Sequence, residues 1–285
     1  MKEHNFINII NNQLKNSYLG DDCAYIKELG IVVTQDNFVE NVHFKQDWTT
    51  PYQIGYKAAA VNISDILASG AKPKYLTIGL ALPNNIDESF IKELYRGFSA
   101  GAYGAEIIGG DITGGDSILI SITAIGVTEN RQISSRKNAK PNYVVITNGA
   151  FGESSKGLKE LQNGIKDSDA IRAHLEPKLD IKFSEDISTQ IKVEYAMMDT
   201  SDGLADALFQ IAKSSGVKIK TEFIEGMFGA EDYKLVAAVP REFLSEINNY
   251  KIIGYVEEFD GAYLEIDGFK YKNYDELGLY DHFGE

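Results

Sequence analysis

Five aspartates, Asp22, Asp36, Asp65, Asp111 and Asp199, have the spacing and neighbours that could do chemistry in this chain. Asp22, Asp36, Asp111 and Asp199 are expected in loops beside short apolar strands, where a rigid scaffold presents functional groups. Asp65 instead falls inside Ala60-Val61-Asn62-Ile63-Ser64-Asp65-Ile66-Leu67-Ala68, where an ionised carboxylate is costly without a partner. Shared Mg²⁺ ions would answer that cost, because Mg²⁺ takes hard oxygen ligands and bridges carboxylates to substrate phosphates. Thr34, one strand step from Asp36, adds a hydroxyl oxygen. Taken singly, each aspartate more commonly serves as a turn or helix cap, and it is their number that weakens that reading.

Asp199-Thr200-Ser201-Asp202-Gly203 directly precedes an expected helix, so its residues could cap that helix or leave amides facing an anion. Gly109-Gly110-Asp111 and Gly114-Gly115-Asp116 permit close backbone approach to a phosphate, and are equally compatible with ordinary turns. The sequence contains no Gly-x-x-x-x-Gly-Lys-Ser/Thr loop and neither the His-Arg-Asp nor the Asp-Phe-Gly set. A bound nucleotide would therefore be held by metals and loops. The four histidines and single cysteine offer no zinc-ligand spacing.

The elements that must position these residues read as alternating strands and helices. Strands are expected at 24–26, 31–34, 75–81, 106–108 and 117–127, with helices at 54–69 and 87–103. The polar stretch 128–141 places a domain boundary near residue 130, giving domains 1–130 and 131–285. The second half restarts with a strand at 143–147, a helix after Gly152, an apolar run at 195–198 and a helix at 204–214. Asp267-Gly268 suits a tight hairpin between 262–266 and 269–271. The pattern is that of an α+β protein.

The length of 285 residues allows two modest cores. A net charge of −14 argues against a nucleic-acid partner, which would require clustered Lys and Arg. One cysteine, Cys23, precludes an internal disulfide, and the N-terminal segment resembles neither a signal peptide nor a membrane span. A cytoplasmic protein without a membrane partner is expected.

Read in order, several segments resemble the thiamine-monophosphate kinases, within the superfamily that includes aminoimidazole ribonucleotide synthetase and selenophosphate synthetase. They are Gly20-Asp21-Asp22-Cys23-Ala24, Thr34-Gln35-Asp36 with Val42-His43-Phe44, Lys57-Ala58-Ala59-Ala60-Val61-Asn62-Ile63-Ser64-Asp65, and Ile108-Gly109-Gly110-Asp111. Arg136 with Ala139-Lys140-Pro141, Asp199 to Leu204, Ala230-Glu231-Asp232-Tyr233 and Tyr280-Asp281-His282-Phe283 continue the likeness over nearly the whole chain.

The resemblance implies a two-domain aminoimidazole ribonucleotide synthetase-like fold, whose N-terminal mixed α/β domain pairs sheets in a homodimer and whose C-terminal domain is α+β. By it, Asp22, Thr34, Asp36, Asp65, Asp111, Asp199 and Asp202 would hold several Mg²⁺ ions, with Gln35 placed beside them where the family commonly has a second hydroxyl. Gly110, Asp111, Arg136 and Ser201 would contact ATP, and His43, Glu231 and Tyr280 would face thiamine phosphate. Asp36, Asp65, Asp111 and Arg136 would carry the reaction. Tyr280 could otherwise be simple packing and His43 a structural histidine.

The implied reaction is in-line transfer of the γ-phosphoryl group of ATP to thiamine phosphate, giving thiamine diphosphate. The acceptor phosphate is already an oxyanion near neutral pH, so no general base is needed. Two rivals stand beside it. One is another ATP-using member of the superfamily, although Cys23 lies in the wrong motif and the tail has no Cys. The other is a catalytically silent homologue, motivated by Gly114 in place of a common Arg, Ala230 in place of a Gly, and a short segment between Glu222 and Glu231.

Overall fold

The structure, a computed structural model, describes residues 2–279 without the side chains of residues 2–5 and 8. The Tyr280-Asp281-His282-Phe283 segment lies outside the described residues. Helix α1 (Lys2–Leu14) precedes strands β1 (Ala24–Ile26) and β2 (Ile31–Val39). Helix α2 (Pro51–Ala68), strand β3 (Lys72–Leu82), helix α3 (Glu88–Gly101) and strands β4 (Glu106–Gly114) and β5 (Leu119–Val127) follow. These strands form a five-stranded sheet in the order β1-β2-β5-β3-β4, antiparallel except for β3 with β4.

The later elements are β6 (Val144–Thr147), α4 (Glu153–Gln162), α5 (Asp169–Leu175), α6 (Ile181–Gln190), β7 (Ala196–Asp199), α7 (Leu204–Ser215) and β8 (Val217–Thr221). Then come β9 (Leu235–Val239), β10 (Lys251–Glu258), β11 (Leu264–Ile266) and β12 (Phe269–Tyr271). They build a seven-stranded mixed sheet in the order β12-β11-β8-β10-β6-β9-β7. The turn between β11 and β12 has positive φ at both Asp267 (49°) and Gly268 (85°), as a tight hairpin requires.

Helix α2 is the organising element. Pro51 opens it, Thr50 and Gln53 form a reciprocal capping box, and its interior is rich in buried Ala, Val and Ile. Against α3 it packs backbone to backbone: a Cβ added at Gly97 would lie 2.0 Å from the Tyr52 carbonyl oxygen. Its apolar side joins Ile120 and Ile122 of the first sheet and Ile146, Met197 and Ala237 of the second in one continuous core. A second core, on the other face of the seven-stranded sheet, is filled by Leu208, Phe209 and Ile211 of α7.

Two strands run further than the sequence pattern suggests. Strand β2 continues to Val39, so Asp36 is a mid-strand residue rather than a loop residue. Strand β4 continues to Gly114, so Gly110 and Asp111 are ladder residues beside Ile78 and Gly79. Polar residues fit in β2 because alternate side chains face outward: Val32, Thr34, Asp36 and Phe38 lie toward α2, while Gln35 meets Ser121 and Thr123 on the open face.

Candidate active site

The carboxylates converge where α2 meets the ends of both sheets. Asp22 in the turn before β1, Asp65 on α2 and Asp199 at the end of β7 each place a carboxylate oxygen within 4.8 Å of the other two. Thr34 Oγ1 donates to Asp65 Oδ2 at 2.7 Å, and Ser64 Oγ donates to Asp199 Oδ2 at 2.6 Å. Arg136 Nη2 donates to Asp22 Oδ1 at 2.7 Å, and Asp21 fixes the Arg136 backbone, accepting from its amide at 2.7 Å. Asp36 completes the group from β2, with its amide donating to Asn62 Oδ1 of α2 at 3.1 Å.

Crowding these acids out of water disfavours their charge. Burial, then Asp22, pushes Asp36 up to about 6, and the same two causes push Asp199 up to about 7. Asp65 is raised well above the carboxylate range by burial and then by Asp36, Asp199 and Asp22. The donor set is all oxygen, and its members repel one another, so a hard divalent cation would relieve both the desolvation and the repulsion. These residues fit Mg²⁺.

Beside the acids opens a cavity of about 590 Å³. Lys57, Val61 and Asp65 of α2, spaced four apart on one helical face, all line it, and so do Asp36, Ser201, Asp202, His43 and Glu231. Aromatic and aliphatic walls come from Phe38, Phe44, Trp48 and Leu161. His43 stacks on Phe38 with ring centroids 5.5 Å apart, and its Nδ1 accepts from the Val39 amide at 3.0 Å, which puts the imidazole proton of the neutral ring on Nε2. Glu231 reaches the cavity from a left-handed backbone position (φ 64°), its amide donating to the Ser201 carbonyl at 2.7 Å.

Around Glu231 stand two residues with no role in the sequence reading. Lys57 Nζ lies 3.1 Å from Glu231 Oε1, and His174 Nδ1 lies 3.4 Å from Oε2. Burial works against the Glu231 carboxylate, but Lys57 and His174 outweigh it and hold it below its ordinary range. Burial, then Lys57, pushes His174 down to about 4. A charged lysine inside an Ala-rich apolar helix was a usable signal for Lys57. His174, in an unremarkable amphipathic segment, gave none.

Several expected residues are placed elsewhere. The Gln35 side chain accepts from Thr123 Oγ1 and donates to Ser121 Oγ on the open sheet face, away from the carboxylates, because strand alternation sends it opposite to Thr34 and Asp36. Asp111 is exposed on the edge strand β4 and is not among the charges acting on Asp36 or Asp65. Gly110 shares a register level with Ile78, Ile122 and Asp36, and a Cβ there would lie 1.8 Å from the Ile78 carbonyl oxygen. The segment from Asp199 to Asp202 does not supply the side-chain cap of α7: Gly203 is its N-cap, and the Ala205 amide donates to the Met227 carbonyl. Tyr280 lies outside the described residues.

Residues 20–128 match the family model for the N-terminal domain of AIR synthase related proteins. The chain is 37% identical to the thiamine-monophosphate kinase of Bacillus subtilis over 79% of its own length and 78% of that protein's. It is 30% identical to the thiamine-monophosphate kinase of Aquifex aeolicus over 92% of this chain and 94% of the relative. The solved structure of AaThiL complexed with AMPPCP and TMP superposes with a TM-score of 0.85 at 30% identity, covering 96% of each chain. With an acidic cluster, an adjoining cavity and this likeness along nearly all of its length, the chain belongs to the thiamine-monophosphate kinase family.

Proposed function

We propose that this site transfers the γ-phosphoryl group of ATP to thiamine phosphate by direct in-line attack, with Mg²⁺ required. The observation that carries the reading is the position of the carboxylate cluster: Asp36 and Asp65 line the same cavity as His43 and Glu231, so a phosphate-holding end adjoins an end walled by aromatic side chains. Asp22, Asp36, Asp65, Asp199 and Asp202, with Thr34, would hold the metal. Bound there, Mg²⁺ supplies positive charge to phosphate oxygens.

The remaining work belongs to side chains that align and shield. Arg136, fixed through Asp21 and Asp22, presents a guanidinium beside the acids and steadies the nucleotide. His43 donates from Nε2 toward the acceptor phosphate, and Glu231 faces the ring end. No residue is required to remove a proton, since the acceptor monoester is already ionised near neutral pH. Alignment of the two phosphates and neutralisation of their charge supply the rate.

In this reading residues 1–130 form the metal- and ATP-binding domain and residues 131–285 the second domain, in keeping with strands of the two sheets that separate between residues 127 and 144. The active form would be a homodimer paired through the five-stranded sheet, whose edge strand β4 exposes Ile108 and Ile112. Gly110 and Asp111 on that strand would then meet the nucleotide. Among the described residues no helix is long and apolar enough to cross a membrane.

The test is product analysis of purified protein with ATP, Mg²⁺ and thiamine phosphate, alongside a chelator control and free thiamine as competing acceptor. Chelator-sensitive thiamine diphosphate and ADP are expected. A folded protein that binds both ligands and yields neither product would refute the reading.

A further inference from the structure

Glu231 is fixed from several directions. Its left-handed backbone is tied to the Ser201 carbonyl, and the next residue, Asp232, accepts from the amides of Gly152 (2.7 Å) and Ser154 (3.1 Å) at the start of α4. A strained conformation persists only where its surroundings over-determine it. The side chain is held as well, with Lys57 Nζ 3.1 Å from one oxygen and His174 Nδ1 3.4 Å from the other. Ser154 Oγ sits 3.0 Å from the same His174 nitrogen. A carboxylate can only accept, so the imidazole tautomer with its proton on Nδ1 suits this arrangement.

Lys57 is almost fully buried, with 2% of its surface exposed, and projects from the same α2 face as Asp65. A buried ammonium with one carboxylate partner is costly to keep for packing alone, since an apolar residue of similar volume would often stabilise the core equally well. Glu231 and Lys57 both line the cavity, beside Phe44 and Trp48.

We propose that Lys57 is a positioning residue that sets acceptor specificity: it holds the Glu231 carboxylate in place to accept from an amino or protonated nitrogen on the acceptor's heterocycle. The inference rests on the reading above, in which the acceptor's ring end occupies this cavity. It selects a chemical class, phosphate monoesters that carry an amino-substituted nitrogen heterocycle, over monoesters of similar size without the donor. Losing the donor leaves accepting capacity of a largely desolvated carboxylate unfilled, which discriminates more strongly than a loss of apolar contact of the same size.

The test is a double-mutant cycle on the full chain with Lys57→Met, Glu231→Gln and the double variant, each assayed with saturating ATP and Mg²⁺. The acceptors are thiamine phosphate and its analogue with hydrogen in place of the pyrimidine amino group. In the wild type, the amino acceptor should be preferred by about tenfold or more in kcat/KM. Lys57→Met should raise KM for thiamine phosphate about tenfold, leave KM for ATP within about twofold, and largely erase the preference. Added to Glu231→Gln, it should change KM by less than about twofold.

An unchanged KM and preference in folded Lys57→Met, or additive effects in the double variant, would overturn the inference while wild-type turnover left the functional reading intact. A wild type that makes no thiamine diphosphate would instead overturn that reading. Should Lys57→Met fail to fold, Lys57→Gln, which keeps a donor without the charge, carries the same comparison. The double variant, which leaves neither charge buried alone, provides another.

Discussion

Asp65 shows what the site asks of a single residue. Its carboxylate accepts from Thr34 Oγ1, lies within 4.8 Å of oxygens on Asp22 and Asp199, and has its charged form disfavoured by burial and then by Asp36, Asp199 and Asp22. Asn is isosteric and can still accept from Thr34, so Asp65→Asn removes charge without removing shape. Turnover should fall on the order of 100-fold or more, as when one preorganised electrostatic contact is lost. The same substitution should leave the metal-free protein about 1 kcal/mol more stable, because one repelling carboxylate is gone. Steady-state assays and thermal unfolding in chelator measure the two effects. A loss of activity accompanied by a loss of metal-free stability would assign Asp65 to the fold instead. Asp36→Asn should behave likewise in turnover, since Asp36 shares the same repulsion.

At the scale of elements, everything at the site depends on how closely α2 approaches its neighbours. Gly97 of α3 faces the Tyr52 carbonyl so tightly that Gly97→Ala would force the helices apart. It should cost roughly 1–3 kcal/mol, the usual price of overpacking, and show as a lowered unfolding temperature. Because α2 carries both Lys57 and Asp65, turnover should drop with it, and an unchanged melting temperature would show that the helices can yield. This helix was legible in the sequence from Pro51, its Ala-rich interior and the stop at Gly70. The short strands were legible too, but their ends were not. Gly109-Gly110-Asp111 has the composition of a turn, and only pairing with β3, which needs a residue without Cβ opposite Ile78, makes it strand. Asp36 was missed as a strand residue for the related reason that a polar side chain on the covered face is tolerated only beside Thr34, Asn62 and Asp65. The aspartates themselves could be listed from sequence. The meeting of Asp22, Asp65 and Asp199, and that of Lys57 with His174 and Glu231, depended on pairs of residues 43 to 177 positions apart.

For the whole molecule, these groups set how stability responds to pH when metal is absent. Asp36 and Asp199 are raised to about 6 and 7, Asp206 is raised to about 6 by burial and then Asp202, and Asp65 is raised well above the carboxylate range by burial and then Asp36. Between roughly pH 4 and 7 the folded chain therefore holds protons that the unfolded chain has released, and stability falls as pH rises. His174 works in the opposite sense. With its folded value near 4 and its unfolded value near 6.5, its contribution is present above 6.5 and is lost as pH falls through that window. Several carboxyls oppose one imidazole, so the metal-free protein should lose on the order of 2 kcal/mol between pH 5 and 7.5. His174→Gln should steepen the decline below pH 6.5, where the histidine had been offsetting it. Saturating Mg²⁺ should flatten it, because a bound cation favours the ionised acids that the fold alone penalises. Chemical denaturation across this range, with chelator and then with Mg²⁺, reads both slopes. A metal-free profile that rises toward neutral pH would mean that these acids are already neutralised within the protein, and the case for a cation at their meeting point would fail.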